Sequence, residues 1–137
     1  MAEYWDIYDK DRNKTGRLAE RDVYKLKEGE YHLVTIALIL NSKNEMLITR
    51  RAPTKKHEPL KWELTGGSIV TGETSLNGML REIREEIGVT FMPEDATFVT
   101  TTKRNEIARN FKDIWLFKKD LKKENQCLKI KLNLKMN

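Results

Sequence analysis

The chain has 137 residues, 39% apolar and 34% charged, as expected for one globular domain with a modest core around a single sheet. No apolar run approaches the ~20 residues of a bilayer-spanning helix, the N-terminus has no basic region followed by an apolar stretch, and Cys127 has no internal partner, so a reducing, cytoplasmic setting without membrane contact is expected. The formal charge of +5 would suit nucleic acid, but from Lys118 onward seven lysines stand against two acids, which leaves 19 basic and 19 acidic residues in the rest, so no nucleic-acid partner is expected.

Residues 1–137 read as a single domain. Tyr4–Tyr8 is short, aromatic and alternating, and residues 10–16 form a polar stretch closed by glycine, so a strand, a turn and a second short strand around Arg17 and Leu18 are expected. Residues 31–40 are rich in β-branched and aliphatic side chains and read as a core strand. Residues 41–45 are a turn and 46–49 resume as a strand. Residues 52–61 hold two prolines and three lysines and read as a loop, and 62–64 as a short extended piece before Gly66 and Gly67. From residue 74 to 87 the period changes: Leu76, Met79, Leu80, Ile83 and Ile87 recur at helical spacing, with Thr74 or Ser75 as the cap and Gly88 as the stop. Residues 97–103 and 111–117 read as two strands joined by a polar loop. At the end, Leu128, Ile130, Leu132, Leu134 and Met136 alternate with Lys129, Lys131, Asn133 and Lys135, a strand with one apolar and one polar face. Five strands around one strong helix imply a mixed α/β domain.

The chemistry lies in residues 67–89. Gly67 is followed after five residues by Glu73, and after seven more by Arg81-Glu82-Ile83-Arg84-Glu85-Glu86-Ile87-Gly88-Val89. Glu82, Glu85 and Glu86 stand at i, i+3 and i+4, so they gather on one helical face while the apolar residues fix the opposite face in the core. Three like charges this close repel one another, and a hard cation such as Mg²⁺, which takes oxygen ligands, removes the penalty. Gly66 and Gly67 allow close backbone approach, so a main-chain carbonyl is within reach of the same metal. Glu73 and Arg81 carry opposite charge, and a contact between them would tie the incoming loop to the helix. A bare Glu-x-x-Glu-Glu is usually a solvated acidic face; the full spacing outweighs that reading.

The pattern matches, at every fixed position, the signature of the MutT-like Nudix hydrolases: Gly-x5-Glu-x7-Arg-Glu-U-x-Glu-Glu-x-Gly-U, with U aliphatic. The flanks extend the resemblance from about Tyr4 to Phe117. It implies an α/β/α sandwich with a mixed sheet, a small-molecule diphosphate substrate, and attack of water on a phosphorus of a nucleoside diphosphate linked to another group. It implies Mg²⁺, or Mn²⁺, held by the Gly66 carbonyl, Glu82, Glu85 and Glu86, with Glu82 also the candidate to activate water. Glu73 and Arg81 complete the catalytic set as orienting residues. Family members often draw a further carboxylate from a later loop, for which Glu106 and Asp113 are candidates. Arg50, Arg51 and Lys55, with Lys56, precede the site and are candidates to bind substrate phosphates. Trp62 and Trp115 are candidates to stack on a base, although Trp62 reads more readily as a core anchor.

The flanks narrow the branch. Trp5-Asp6-Ile7-Tyr8-Asp9, Thr15-Gly16, Tyr31-His32 and Arg50-Arg51-Ala52 resemble the branch that contains isopentenyl-diphosphate isomerase and its hydrolase relatives. In the isomerases a cysteine before the box moves protons and histidines bind a metal. Here Gly66 stands in place of the cysteine and Ser68 in place of a histidine, and His32 alone corresponds to an isomerase ligand; it reads as structural. Hydrolysis is therefore expected, with an isomerase-like enzyme or a catalytically impaired binding module as the alternatives.

From Lys118 the chain departs from the family. Residues 118–137 are lysine-rich and contain no amphipathic helix, so the C-terminal helix of the sandwich is expected to be missing or atypical. A sheet face without cover favours association, and the expected partner is a second copy of the chain. The outcome to look for is a homodimer, or poor solubility, in light scattering at high concentration; a monodisperse monomer would sink the expectation.

Overall fold

The computed structural model describes residues 2–51, 53–54, 58–106, 108–121 and 127–131, the last stretch by its backbone alone. Lys55, Lys56 and the part of the alternating C-terminal pattern beyond residue 131 lie outside the described residues.

Strand β1 (Tyr4–Tyr8) pairs antiparallel with β2 (Lys14–Glu20) as a separate two-stranded sheet. Between them the Asp9 carboxylate accepts the N–H groups of Asp11 and Asn13, both at 2.9 Å, which curls the chain back on itself. The second strand is longer than Arg17 and Leu18 alone, because its pairing partners rather than its own propensity set its length.

The main sheet is built on β3 (His32–Leu40). Along it Leu33, Thr35, Ala37 and Ile39 are buried while Val34, Ile36 and Leu38 are half-buried, the period-two pattern of a sheet covered more fully on one face. Strands β4 (Glu45–Arg50), β5 (Trp62–Glu63), β6 (Thr65–Ser68), β7 (Ala96–Arg104), β8 (Asn110–Lys118) and β9 (Cys127–Lys131) complete it. β8 runs parallel to β3 from His32↔Asn110 to Leu40↔Lys118, and β7 pairs antiparallel with β8 at the sheet edge. β6 lies antiparallel on the other side of β3. β4 touches β3 at Leu40↔Met46 and pairs with β5 and β9. The sheet is mixed, as expected. The expected count of five strands is exceeded because short, glycine-containing pieces such as β6 owe their strand geometry to β3.

Helix α1 (Ser75–Ile87) has the predicted caps: the Thr74 hydroxyl accepts from the Asn77 N–H at 3.1 Å, and Gly88, at φ 70°, donates its N–H to the Arg84 carbonyl. Met79 and Ile83 are fully buried against Ala37, Ile39, Leu47, Phe91 and Phe117. Burial of each contributes about 1.5–3 kcal/mol. This core fixes which helical face points away from the sheet. Among the described residues α1 is the only α-helix, so the second helical layer of the sandwich is not among them.

The hairpin is pinned to the sheet by an ion pair. Arg12 donates from Nη1 and Nη2 to the two oxygens of Asp113 on β8, at 2.6 Å each. Asp113 is 1% exposed. Burial alone would push its pKa up, but hydrogen bonds from Arg12, Ser75 and Thr101 outweigh it and hold the carboxyl below its ordinary value. This corrects the expectation that Asp113 is a candidate for the later metal-binding carboxylate: its oxygens are already committed to a structural pair.

His32 is structural, as expected. Its ring stacks on Trp5 with centroids 4.1 Å apart and an interplanar angle of 13°. Burial lowers its pKa to about 4, against the opposing hydrogen bond to the Ala108 carbonyl. The unfolded chain therefore takes up this proton near pH ~6.5 while the folded protein does not until about pH 4, so stability is complete above pH ~6.5 and declines as pH falls through that window. The expected loss is about 3 kcal/mol, read as a shift in the urea midpoint between pH 7 and pH 4. His32→Phe should remove that part of the decline, and an identical pH dependence in the variant would contradict the assignment.

Candidate active site

A cavity of about 620 Å³ opens where α1 meets β6. From α1 it receives Arg81, Glu82, Glu85 and Glu86; from β6, Gly66, Gly67 and Ser68. The end of β4 and the residue after it supply Arg50 and Arg51, and β5 supplies Glu63. The far wall comes from the N-terminal hairpin, with Glu3 and Arg21.

Arg81 organises the wall. Its Nε donates to Glu73 Oε2 at 2.6 Å and its Nη2 to Glu73 Oε1 at 2.9 Å and to the Ser68 carbonyl at 3.2 Å. Its Nη1 donates to Glu82 at 3.0 Å and to Glu85 at 3.1 Å. Glu73 also accepts the Val70 N–H at 3.0 Å, so the loop before the helix is tied to it as the opposite charges predict. Burial opposes ionisation of Glu73, but the Arg81 and Val70 hydrogen bonds hold its pKa below the ordinary value.

Glu82 and Glu86 hydrogen-bond to each other. Burial raises both; Glu86 is pushed up to about 8, first by burial and then by the neighbouring charge of Glu82, with Glu63 adding to it and the Gly66 N–H opposing it. Two carboxylates in this arrangement keep a proton between them unless a cation takes its place. The N–H and C=O of a strand residue point to the same side. Because the Gly66 N–H reaches Glu86, the Gly66 carbonyl faces the same open edge of β6. Gly67 is as close: a Cβ built there would lie 2.5 Å from the Glu82 carboxyl carbon. An all-oxygen set, a glycine cradle and a proton-sharing pair fit a hard divalent cation.

The three carboxylates do not converge fully. The Glu85 side chain is 59% exposed and held by Arg81. Among the described residues no three His, Cys, Asp or Glu side chains approach one another closely enough to hold a metal. Helical spacing places three carboxylates on one face, but Arg81 draws one of them aside.

Arg50 and Arg51 line the cavity, as the sequence led us to expect. Arg51 Nη1 lies 3.3 Å from both oxygens of Glu63. Arg50 Nε donates to the Leu60 carbonyl at 3.0 Å. The expectation that Trp62 is a core anchor is overturned: it is 41% exposed, because β5 is a two-residue strand with little sheet around it. Trp115 is structural; its Nε1 donates to Ser75 at 3.0 Å and Phe98 meets its ring edge-on. Neither Glu106 nor Asp113 lines the cavity. Five lining residues escaped the sequence reading: Val34, Thr49 and three charged ones. Glu63 stands two residues before the glycine strand, a position that invited inspection, whereas Glu3 and Arg21 carry no sequence signal because the fold of the hairpin brings them in.

Residues 30–127 match the NUDIX domain model. The chain belongs to the Nudix hydrolase family. An uncharacterised Nudix hydrolase of Listeria monocytogenes is 34% identical over 120 residues, spanning 87% of this chain and 69% of that protein. An isopentenyl-diphosphate delta-isomerase of Shigella flexneri is 34% identical over 68 residues, 49% of this chain and 37% of that protein, a partial likeness. A crystallographically solved protein of Deinococcus radiodurans superposes with a TM-score of 0.76 over 94% of this chain and 83% of its own, at 20% identity, a likeness of fold. This Nudix protein is thus a hydrolase of diphosphate bonds, of a family that uses divalent metals. No helix among its described residues is long and apolar enough to cross a membrane.

The two glycines should respond differently to a methyl group. Gly67→Ala meets the movable end of Glu82 and should swing it out of the site with little loss of stability. Gly66→Ala meets the Thr35 backbone and should cost about 2 kcal/mol of stability. Mn²⁺ binding and thermal melts on both variants check this; unchanged metal binding in Gly67→Ala would count against the cradle.

Proposed function

We propose that this Nudix hydrolase uses Mg²⁺ to cleave the diphosphate linkage of a nucleoside diphosphate derivative or nucleotide. The observation that supports it best is the Glu82–Glu86 pair set against the glycine edge of β6, inside a cavity to which the end of β4 and the N-terminal hairpin bring arginines. Glu82, Glu85, Glu86 and the Gly66 carbonyl would hold the metal, with Glu85 released from Arg81. A bound divalent ion neutralises the diphosphate and lowers the pKa of water.

The chain supplies the rest. Glu82 is the group assigned to accept the proton of the attacking water as its oxygen bonds to phosphorus and the bridging P–O bond breaks. Arg81 orients Glu82, and Glu73 orients Arg81. Arg50 and Arg51, with Arg21 across the cavity, offer guanidinium donors to the phosphate oxygens, and Lys55 is assigned to the same task. An isomerase mechanism has no thiol to use at Gly66 and no imidazole at Ser68.

The test is a panel of nucleoside diphosphate derivatives and nucleoside triphosphates incubated with Mg²⁺, with release of phosphate or nucleotide measured. Activity should vanish in EDTA and return with Mg²⁺ or Mn²⁺. Glu85→Gln and Glu86→Gln should each lower kcat by several orders of magnitude. Activity that survives both substitutions would falsify the site assignment.

A further inference from the structure

The part of the substrate beyond its phosphates must be recognised somewhere, and the cavity offers it little. Among the lining residues Val34 is the only one with a large apolar side chain; nine of the others are glutamate or arginine. Among the described residues nothing beyond Val34 offers an alkyl chain an apolar wall here. The charged cavity suits phosphate oxygens, so the remaining group must lie towards the mouth.

Next to Arg50, which lines the cavity, stands Trp62, 41% exposed. Pairing of β4 with β5 sets it opposite Arg50, and the Arg50 guanidinium lies 5.7 Å from the centroid of its ring. Arg50 is fixed in that posture by the bond from its Nε to the Leu60 carbonyl, at 3.0 Å. Its terminal nitrogens donate to no described residue. One arginine therefore lines the cavity and steadies an indole beside it. Trp62 is not itself a lining residue, so the ring lies one side chain out from the site, reached through Arg50. Such a ring offers a π face to any planar heterocycle, and the adjacent guanidinium offers donors to the phosphate attached to it.

We propose that Trp62, steadied by Arg50, is the platform on which the aromatic base of the substrate stacks while its diphosphate occupies the carboxylate cavity. The inference rests on the hydrolase reading above and deepens it: the substrate carries a nucleobase, and Trp62 determines specificity without touching the reacting atoms.

The experiment compares two ligands, a nucleoside diphosphate and inorganic diphosphate, each with Mg²⁺, in wild type, Trp62→Ala and Trp62→Phe. Binding is measured by calorimetry, and kinetics are followed on whichever nucleotide the protein hydrolyses. Trp62→Ala should raise the nucleotide Kd and KM by roughly tenfold to a hundredfold, the size of one base–aromatic stack, with kcat nearly unchanged. Trp62→Phe should restore most of the affinity, and inorganic diphosphate should bind all three proteins alike. Nucleotide quenching of the indole emission should fall in Trp62→Phe. If Trp62→Ala fails to fold, Trp62→Leu, which is apolar and bulkier, should show the same nucleotide-specific loss. Equal loss for both ligands, or nucleotide binding indifferent to Trp62, overturns the platform and leaves the hydrolase reading standing. Wild type that binds neither ligand with Mg²⁺ overturns both.

Discussion

A single guanidinium holds the signature loop and helix together. Glu73, Glu82 and Glu85 all point at the junction of loop and helix, and without a cation between them they would drive the two apart. Arg81 meets all three and the Ser68 carbonyl as well. Removing one partner from a largely buried charge cluster costs about 3–5 kcal/mol. Arg81 also divides labour among the carboxylates. It steadies Glu82, which keeps its bond to Glu86, and it takes Glu85 away from them. The element stores its negative charge in a form that a divalent ion can unlock.

The sheet supplies the other half of the geometry. β6 is short and glycine-rich, so it would not be a strand on its own account; pairing with β3 makes it one. Its free edge then lies beneath α1, close enough that the Gly66 N–H reaches Glu86 and Gly67 leaves room for Glu82. Helix position is set independently by Met79 and Ile83 in the core. Two separate packing problems, helix on sheet and strand on strand, thus meet at the carboxylates.

What is legible in the sequence is what local periodicity and spacing encode. The helix, its Thr74 cap, the Gly88 stop and the central strand follow from residue order alone, and so does the Glu73–Arg81 contact. Spacing could not say that Glu85 would be drawn off, because it places Cα atoms on a face and leaves the side-chain torsions to neighbours. Asp113 was misjudged because a carboxylate in a late strand looks the same in sequence whether it faces a cavity or a buried arginine. Trp62 was misjudged because an aromatic residue beside a motif looks like an anchor; only the shortness of β5 exposes it. Arg21 was invisible because its place depends on how a hairpin folds against a distant strand.

That hairpin bears on where the domain begins. The family match starts at residue 30, after both hairpin strands. Yet Arg12 is the cation that lets Asp113 stay ionised in the core, and Glu3 and Arg21 close one side of the cavity. A fragment cut at the family boundary would keep the whole signature and lose the counter-charge of a buried carboxylate. It would also open the cavity on the side that Glu3 and Arg21 close. For this chain the stretch matched by homology and the stretch tied together by these contacts differ, and the second takes in the hairpin.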